Sequence, residues 1–188
     1  MIYFDNKTYE KQDYKTSSLA KGQYENCRFQ HCDFSNSDLT GVNFTDCLFE
    51  DCNLSMVSLS NTQLNEITFS KCKMLGLKFE QCNSFLFKVT FIHCLLNLSS
   101  FYKLNLKKTN FKDCKLNEVD FTETELNEAI FSNCDLLGAT FSFTNLEKAD
   151  FRTSFNYSIH PESNKVKNAS FSREGIAGLL DRYKLIIE

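Results

Sequence analysis

The fold is decided by residues 111–131, which read FKDCK LNEVD FTETE LNEAI F. A large apolar residue, phenylalanine or leucine, begins each group of five. Two positions before it stands a small or modest residue, as at Val119, Thr124 and Ala129, and the other three positions are mostly polar. An α-helix repeats apolar residues every three or four positions and a β-strand every two, so neither element explains this pattern.

The same period of five extends over most of the chain. Large apolar residues recur without a break from Tyr24 to Phe79 and again from Leu86 to Phe151, with one seven-residue step between the two series. Because the large and the small residue are two positions apart, each unit holds a short extended piece, and the remaining residues turn a corner. Four such corners close a square coil, so residues about twenty apart are expected to stack at the strand spacing of about 4.8 Å.

The large residues fall into four nearly uniform columns when they are read twenty apart, with two extra residues allowed at 80–85. The first face carries Phe29, Phe49, Phe69, Phe91, Phe111, Phe131 and Phe151. The second carries Phe34, Leu54, Met74, Leu96, Leu116 and Leu136. The third carries Leu39, Leu59, Phe79, Phe101, Phe121 and Phe141, and the fourth carries Tyr24, Phe44, Leu64, Leu86, Leu106, Leu126 and Leu146. Ladders of like side chains are therefore expected, with a bulged corner at 80–85.

Individual units resemble the pentapeptide-repeat family, whose unit is a small residue, Asp or Asn, Leu or Phe, Ser or Thr, and a polar residue. Ser37-Asp38-Leu39-Thr40-Gly41 and Val42-Asn43-Phe44-Thr45-Asp46 match it closely, and the resemblance covers about Tyr24 to Phe151. It implies an all-β fold, a right-handed quadrilateral parallel β-helix solenoid without catalytic residues. At about 4.8 Å per coil the rod would be about 30 Å long.

The chain divides into three segments on this interpretation. Residues 1–22 are a cap or an atypical first coil, 23–152 form the repeat helix, and 153–188 form a C-terminal tail. Ser172 is a plausible N-cap for an α-helix in the tail. An apolar stripe at helical spacing follows it, made of Ile176, Leu179, Leu180 and Tyr183.

The tail carries a second resemblance. Residues 159–165, with Pro161, and residues 175–183, with Gly175 and Gly178, are similar to the tail of the topoisomerase-protecting subgroup. That subgroup includes the Qnr-type quinolone-resistance proteins and the microcin B17 immunity protein. The resemblance implies a homodimer joined end to end through the tail. It also implies binding to DNA gyrase or topoisomerase IV, with protection from quinolones or a peptide toxin.

Composition narrows the remaining classes. A net charge of -3 excludes a strongly basic nucleic-acid binder, and no apolar run approaches a membrane span. The start of the sequence lacks the order of a signal peptide, so a cytoplasmic protein is expected. The nine cysteines occupy the small inward position and are expected to be reduced, buried hydrophobes. Zinc between Cys27, Cys47, Cys32 and Cys52 would have to distort the corner, and neither a metal nor a cofactor is expected.

Function on this interpretation lies in surface charge. An acidic early section includes Asp46 and Asp51, a basic middle includes Lys71 and Lys108, and a second acidic section follows. This second section is a ring with one acid at the same corner position on four successive faces: Asp113, Glu118, Glu123 and Glu128. A negative rod could occupy the DNA groove of a type II topoisomerase as a DNA mimic. Charged outward positions are equally what any soluble solenoid needs, and the basic middle favours the alternative, a scaffold for an unrelated protein partner.

Overall fold

The computed structural model describes residues 2–186 and is a parallel β-solenoid. Every pair of strands in this range is parallel and lies one coil apart, and the predicted four-sided β-helix is confirmed. The strands are β1 (Ile2–Asp5), β2 (Thr8–Glu10), β3 (Gly22–Glu25), β4 (Arg28–Gln30), β5 (Asn43–Thr45), β6 (Leu48–Glu50), β7 (Gln63–Asn65), β8 (Ile67–Ser70), β9 (Val89–Ile92), β10 (Asn110–Lys112) and β11 (Ile130–Ser132). No helix in the described range is long and apolar enough to cross a bilayer.

The strands form two sheets on adjoining sides of the coil. The fourth face holds the sheet β1-β3-β5-β7, and the first face holds the seven-stranded sheet β2-β4-β6-β8-β9-β10-β11. Phe29 pairs with Phe49 and Phe111 with Phe131, which is the predicted twenty-residue register. The second and third faces carry no regular strands in the described range. They are joined by single bridges, as between Asp33, Asn53, Lys73, Leu95 and Lys115.

The core is a set of stacked side chains along the axis of the rod. The seven phenylalanines of the first face are all buried. Their rings are stacked, with centroids 4.6 Å apart between Phe131 and Phe151 and 5.5 Å apart between Phe69 and Phe91. Every ring of this face except Phe69 also meets a ring of a neighbouring face edge-on, as Phe111 meets Phe121. Offset stacking and edge-to-face contacts are the arrangements that aromatic pairs prefer, so the ladder contributes more than its buried area.

Most corners are made at the residue two positions after the large apolar one, where φ is positive. Asn36 has φ 59° and Gly41 has φ 70°. The residue before the large one fixes the turn, because Asp33 Oδ1 accepts a hydrogen bond of 2.9 Å from the backbone N–H of Ser35. Asn, Asp and Gly adopt positive φ at the least cost, and Asp and Asn side chains bond the backbone two residues on.

The position of the two extra residues differs from the prediction. The corner after Phe79 is a short 3-10 helix, Phe79–Gln81, and the register is regular again at Asn83, which bridges Gln63. A second irregular stretch follows at 84–88, so the departure from the repeat extends beyond the predicted 80–85. The backbone N–H of Phe85 donates to Asn83 Oδ1 at 2.9 Å, as in a regular corner. Leu86 therefore falls at the corner with φ 57° and is 54% exposed, although the periodicity assigned it to the core. Phe87 packs against the core in its place.

The first coil is residues 2–21. Phe4 stacks on Tyr24 at 4.5 Å, and Tyr9 stacks on Phe29 at 4.9 Å. The small inward positions of this coil, which the sequence fills with polar residues, are exposed. The N-terminal segment is thus an atypical coil that continues both sheets.

The solenoid also continues beyond the point where the periodicity ends. The ring of Phe171 stacks on Phe151 at 5.4 Å, although Pro161 interrupts the five-residue pattern between them. In the connecting stretch the buried positions belong to Tyr157 and Ile159, which are off the five-residue spacing. The chain therefore keeps the length of a coil while changing the residues that fill it.

The tail does not form the predicted α-helix. It contains two short 3-10 helices, Ile176–Leu179 and Asp181–Tyr183. Gly178 lies directly on the end of the rod, where the backbone N–H of Ile159 donates to its carbonyl at 2.9 Å and a Cβ would come 2.1 Å from the carbonyl oxygen of Tyr157. Contact this close needs glycine, and glycine disfavours a continuous helix.

Candidate functional site

The predicted acidic ring lies at the four corners of a single coil. Its members all have positive φ, between 53° at Asp113 and 61° at Glu128. Glu118 makes no ion pair with any residue in the range 2–186, and Asp113 Oδ2 faces His93 Nδ1 at 3.7 Å. The ring residues, named in chain order, are Asp113, Glu118, Glu123 and Glu128.

The charge of this ring is largely compensated by the coil before it. Lys103 Nζ lies 3.4 Å from Glu123 Oε2. Lys107 and Lys108 each place Nζ 3.6 Å from a carboxylate oxygen of Glu128. Exposed pairs like these contribute little to stability, but they cancel the local field that a cationic partner would meet.

The early acidic section contains three neighbouring carboxylates that have no ion pair with the described residues. Asp46 and Asp51 occupy the two corners that bound the first face in the coil of β6, and Glu50 lies on that face between them. Within the described part of the chain none of the three has a basic partner within 4.0 Å, and Glu50 accepts only a hydrogen bond of 3.0 Å from Gln30 Nε2. This acidic edge, Asp46, Glu50 and Asp51, is the strongest candidate for an anionic contact surface.

Two other acids of the early section are neutralised by the first coil. Lys15 Nζ lies 2.9 Å from Asp33 Oδ2, and Lys21 Nζ lies 3.3 Å from Asp38 Oδ2. The repeat pattern does not predict these two ion pairs, because the first coil has no close match to the repeat. The acidic surface is therefore narrower than the spacing of acids indicates.

The histidines do not form a catalytic arrangement in the described residues. His93 Nδ1 lies 3.7 Å from Asp113 Oδ2 and His160 Nδ1 lies 3.6 Å from Asp181 Oδ1, but neither imidazole has a hydrogen bond with a hydroxyl or thiol among the described residues. His31 is an exposed corner residue with φ 53°. Over residues 2–186, no group of three or more His, Cys, Asp or Glu side chains is placed to hold a metal ion.

The cysteines are buried and free, and they act as hydrogen-bond donors between coils. Cys72 Sγ donates to the carbonyl of Phe49 at 3.4 Å. Thr124 Oγ1, at the equivalent position on another face, donates to the carbonyl of Phe101 at 2.9 Å. Burial raises the pKa of the Cys47 thiol to about 12, so this thiol stays protonated and unreactive at neutral pH. The small inward position thus supplies both packing volume and a donor.

A known protein family matches this repeat over most of the chain. A family model described as "Pentapeptide repeat region" matches residues 22–84 and 84–155. The chain belongs to the pentapeptide-repeat family. No curated protein matches its sequence.

Solved pentapeptide-repeat structures share the fold at low sequence identity. Full-length QnrB1, a plasmid-mediated fluoroquinolone resistance protein, is 20% identical with a TM-score of 0.50, covering 97% of this chain and 100% of QnrB1. A trypsin-treated form of QnrB1 is 21% identical with a TM-score of 0.51, covering 100% and 98%. HetL of the cyanobacterium Nostoc sp. Strain PCC 7120, involved in heterocyst differentiation regulation, is 16% identical with a TM-score of 0.50, covering 93% and 88%.

The predicted dimer residues of this pentapeptide-repeat protein do not share one face of a helix. Leu179 packs against the core and Leu180 is partly buried, whereas Ile176 and Tyr183 are half-exposed. The Tyr183 hydroxyl donates to Glu162, to which Arg182 Nη1 also donates at 2.9 Å. The tail therefore folds back on the rod end and leaves only part of the predicted stripe open.

Proposed function

We propose that this chain is a non-enzymatic binding protein that occupies the DNA site of a bacterial type II topoisomerase, DNA gyrase or topoisomerase IV, as a DNA mimic. The observation that carries the proposal is the acidic edge, where Asp46, Glu50 and Asp51 border one face without any basic partner among the described residues. A cationic DNA groove attracts uncompensated carboxylates, because the phosphates they replace are bound in the same way.

Similarity to QnrB1 supports this choice of target. QnrB1 is a fluoroquinolone resistance protein, and its structure aligns with nearly the whole chain, tail included. Residues 159–165 and 175–183 also resemble the tail of the topoisomerase-protecting subgroup. The consequence in the cell would be protection of the enzyme from quinolones or from a peptide toxin, in the cytoplasm where the enzyme acts.

The acidic ring has a smaller role in this proposal than its spacing indicates. Glu123 and Glu128 are each paired with lysines of the preceding coil, so they present less negative potential. Glu118 has no ion pair within the described range and remains available. The acidic edge and Glu118 are the residues that we expect to contact the topoisomerase. Asp113 is less available, because its Oδ1 accepts a hydrogen bond of 2.8 Å from Asn133 Nδ2 and its Oδ2 lies 3.7 Å from His93 Nδ1.

The active form in this proposal is a homodimer joined through the tail. Ile176, Tyr183 and Leu185 leave apolar surface at the end of the rod that a monomer cannot cover. Two copies meeting at this end would bury it about a two-fold axis and double the length of the rod.

A scaffold for an unrelated protein partner is the second candidate. The observation that favours it is the basic middle, where Lys71, Lys73 and Lys78 are exposed and make no ion pair in the described part of the chain. A surface acting as DNA along its whole length would not carry these charges. On this alternative the solenoid joins other proteins and does not interact with a topoisomerase.

The test is binding of the full-length protein to purified gyrase, measured by surface plasmon resonance at two salt concentrations. Asp46→Asn, Glu50→Gln and Asp51→Asn combined should weaken binding about tenfold or more and reduce its salt dependence. Asp33→Asn with Asp38→Asn is the matched control, since these acids are already paired with lysines. Equal affinity for both combinations, or no binding at all, would leave the scaffold as the better account.

A further inference from the structure

Bulky apolar residues occupy corner positions where they are unfavourable. Met56 has φ 59° and Leu98 has φ 63°, whereas Asn, Asp or Gly would adopt this conformation at lower cost. Little of either side chain is buried in return, since Met56 is 63% exposed and Leu98 is 61% exposed. Both residues lie in the column of corners that follows the second face. A bulky apolar residue with positive φ therefore occurs twice along one exposed edge of the rod.

Other apolar side chains lie on the same side of the rod. Gly76 is the corner between them, and Met56 covers it, since a Cβ there would come 2.8 Å from Met56 Sδ. Leu75 adjoins Gly76 on the second face and is partly buried, and Leu95 is 39% exposed. We call Met56, Leu75, Leu95 and Leu98 the apolar strip.

Lysines without partners border this strip. Leu95 bridges Lys73 on one side and Lys115 on the other, so both lysines lie on the same face as the strip. Lys71 and Lys78 lie in the coil of Leu75 on either side of that face. All four lysines are exposed and have no ion pair with the described residues, unlike Lys103, Lys107 and Lys108 elsewhere on the rod.

We propose that the apolar strip and its lysines dock an acidic amphipathic segment of a partner protein, with aliphatic or aromatic side chains on the strip and carboxylates on the lysines. Charge complementarity selects this occupant. A nucleic acid would bring phosphates to the lysines and leave the strip uncovered. A second copy would offer its exposed tail, but Lys184 there, which has no ion pair with the described residues, would meet like charges. The strip lies on a different face from Glu50, although Glu118 follows Leu98 in the same column of corners. The peptide test below needs no topoisomerase, so its failure is separate from failure of the proposed function.

The probe for this site is a fluorescein-labelled peptide of Glu and Leu with leucine at helical spacing, titrated against the full chain and followed by fluorescence anisotropy. Two companion peptides separate the contributions: one with serine for leucine and one with lysine for glutamate. The acidic leucine peptide should bind, and each companion should bind about tenfold more weakly or worse. Equal binding of the three peptides, or binding of none, would overturn the proposal.

Substitutions to asparagine test the corner residues without harming the fold. Met56→Asn with Leu98→Asn should weaken binding of the acidic leucine peptide about tenfold, while the melting temperature stays the same or rises because Asn accepts positive φ. Phe143→Asn is the matched control, because Phe143 is also a corner residue, with φ 52° and 74% exposed, but follows the third face. Its variant should bind as the parent does.

Three outcomes would contradict the proposal at this step. A lower melting temperature in the double asparagine variant would mean that the strip is structural. Retained peptide binding would mean that the strip is not the site. Loss of self-association in that variant, measured by light scattering, would assign the strip to a second copy.

Lys73→Glu with Lys78→Glu should in addition abolish the salt dependence of peptide binding.

Discussion

The ring of Phe111 lies nearly parallel to the ring of Phe131, with centroids 4.8 Å apart and planes inclined by 4°. Phe111 also stacks on Phe91 at 5.2 Å, so it has an aromatic neighbour in the coil before and in the coil after. Its side chain is completely buried. The first face is thus a continuous ladder in which each ring supports two others.

Phe111→Ala should destabilise the rod by about 3–5 kcal/mol, because it opens a cavity between two stacked rings that the sheets hold apart. Urea unfolding followed by circular dichroism measures this loss. Phe143→Ala removes the same atoms from an exposed corner and should change stability by no more than about 0.5 kcal/mol. Similar losses in the two variants would mean that the register of the first face is wrong.

The inward cysteines should be inert in the folded protein and replaceable by serine. A thiol reagent such as DTNB should react with them only after unfolding, because the thiols are buried. Cys72→Ser should cost about 1 kcal/mol or less, since its hydroxyl can donate to the Phe49 carbonyl as the thiol does. Cys72→Leu should destabilise more by overpacking. Rapid DTNB reaction of the native protein would contradict the inward placement.

Stability should fall at acid pH through the aspartates that fix the corners. Hydrogen bonds from Thr40 hold the pKa of the Asp38 carboxyl below its usual value, and the Arg152 guanidinium does the same for the pKa of Asp150. Groups with a depressed folded-state pKa stabilise the protein above the unfolded value of about 3.9, and this contribution is lost as pH falls through the folded-state pKa.

The double substitution Asp38→Asn and Asp150→Asn removes these titrating carboxyl groups. The amide oxygen of Asn can still accept the hydrogen bond that the corner needs. The difference in melting temperature between the parent and this variant should therefore shrink below about pH 4. Melting curves between neutral pH and the acid range measure it. A difference that stays constant over the whole range would show that these carboxylates do not contribute to the acid sensitivity.

The tail should control self-association. Gly178→Ala would place a Cβ against the Tyr157 carbonyl oxygen and should detach the tail from the rod end. Deletion of residues 172–188 removes the tail altogether. Both variants are expected to remain folded and to become monomeric or to aggregate, whereas Ala177→Ser at an exposed position should dimerise like the parent. Light scattering decides the matter: a full-length protein that is monomeric at micromolar concentration would contradict the dimer.

The period of five and the column composition were sufficient to predict the solenoid, because each column is a direct consequence of stacking. The position of the extra residues was not predictable from hydrophobicity. Leu86 matched the column by type, but the hydrogen bond at Asn83 keeps the regular corner and moves Leu86 outward. The α-helix predicted for the tail is absent for a related reason. Gly178 lies in close contact with Tyr157, and this contact and not helix formation determines the residue at this position.

The charge of the candidate site was only partly predictable. Reading twenty residues back from Glu123 and Glu128 gives Lys103 and Lys108, so the compensation of the ring was present in the sequence and was missed. The ion pair between Lys15 and Asp33 does not follow the twenty-residue register. It depends on how the lysine side chain extends to the next coil, so it could not be predicted from the repeat.

Competition with duplex DNA for purified DNA gyrase tests the central claim most directly. A fluorescent DNA duplex bound to gyrase is titrated with the full-length protein at low salt and at physiological salt. DNA mimicry predicts that the protein displaces the duplex completely and that its affinity for gyrase falls as salt rises. The acidic-edge variant, Asp46→Asn with Glu50→Gln and Asp51→Asn, should not displace the duplex. Gyrase that keeps its DNA at saturating concentrations of the protein would contradict the account.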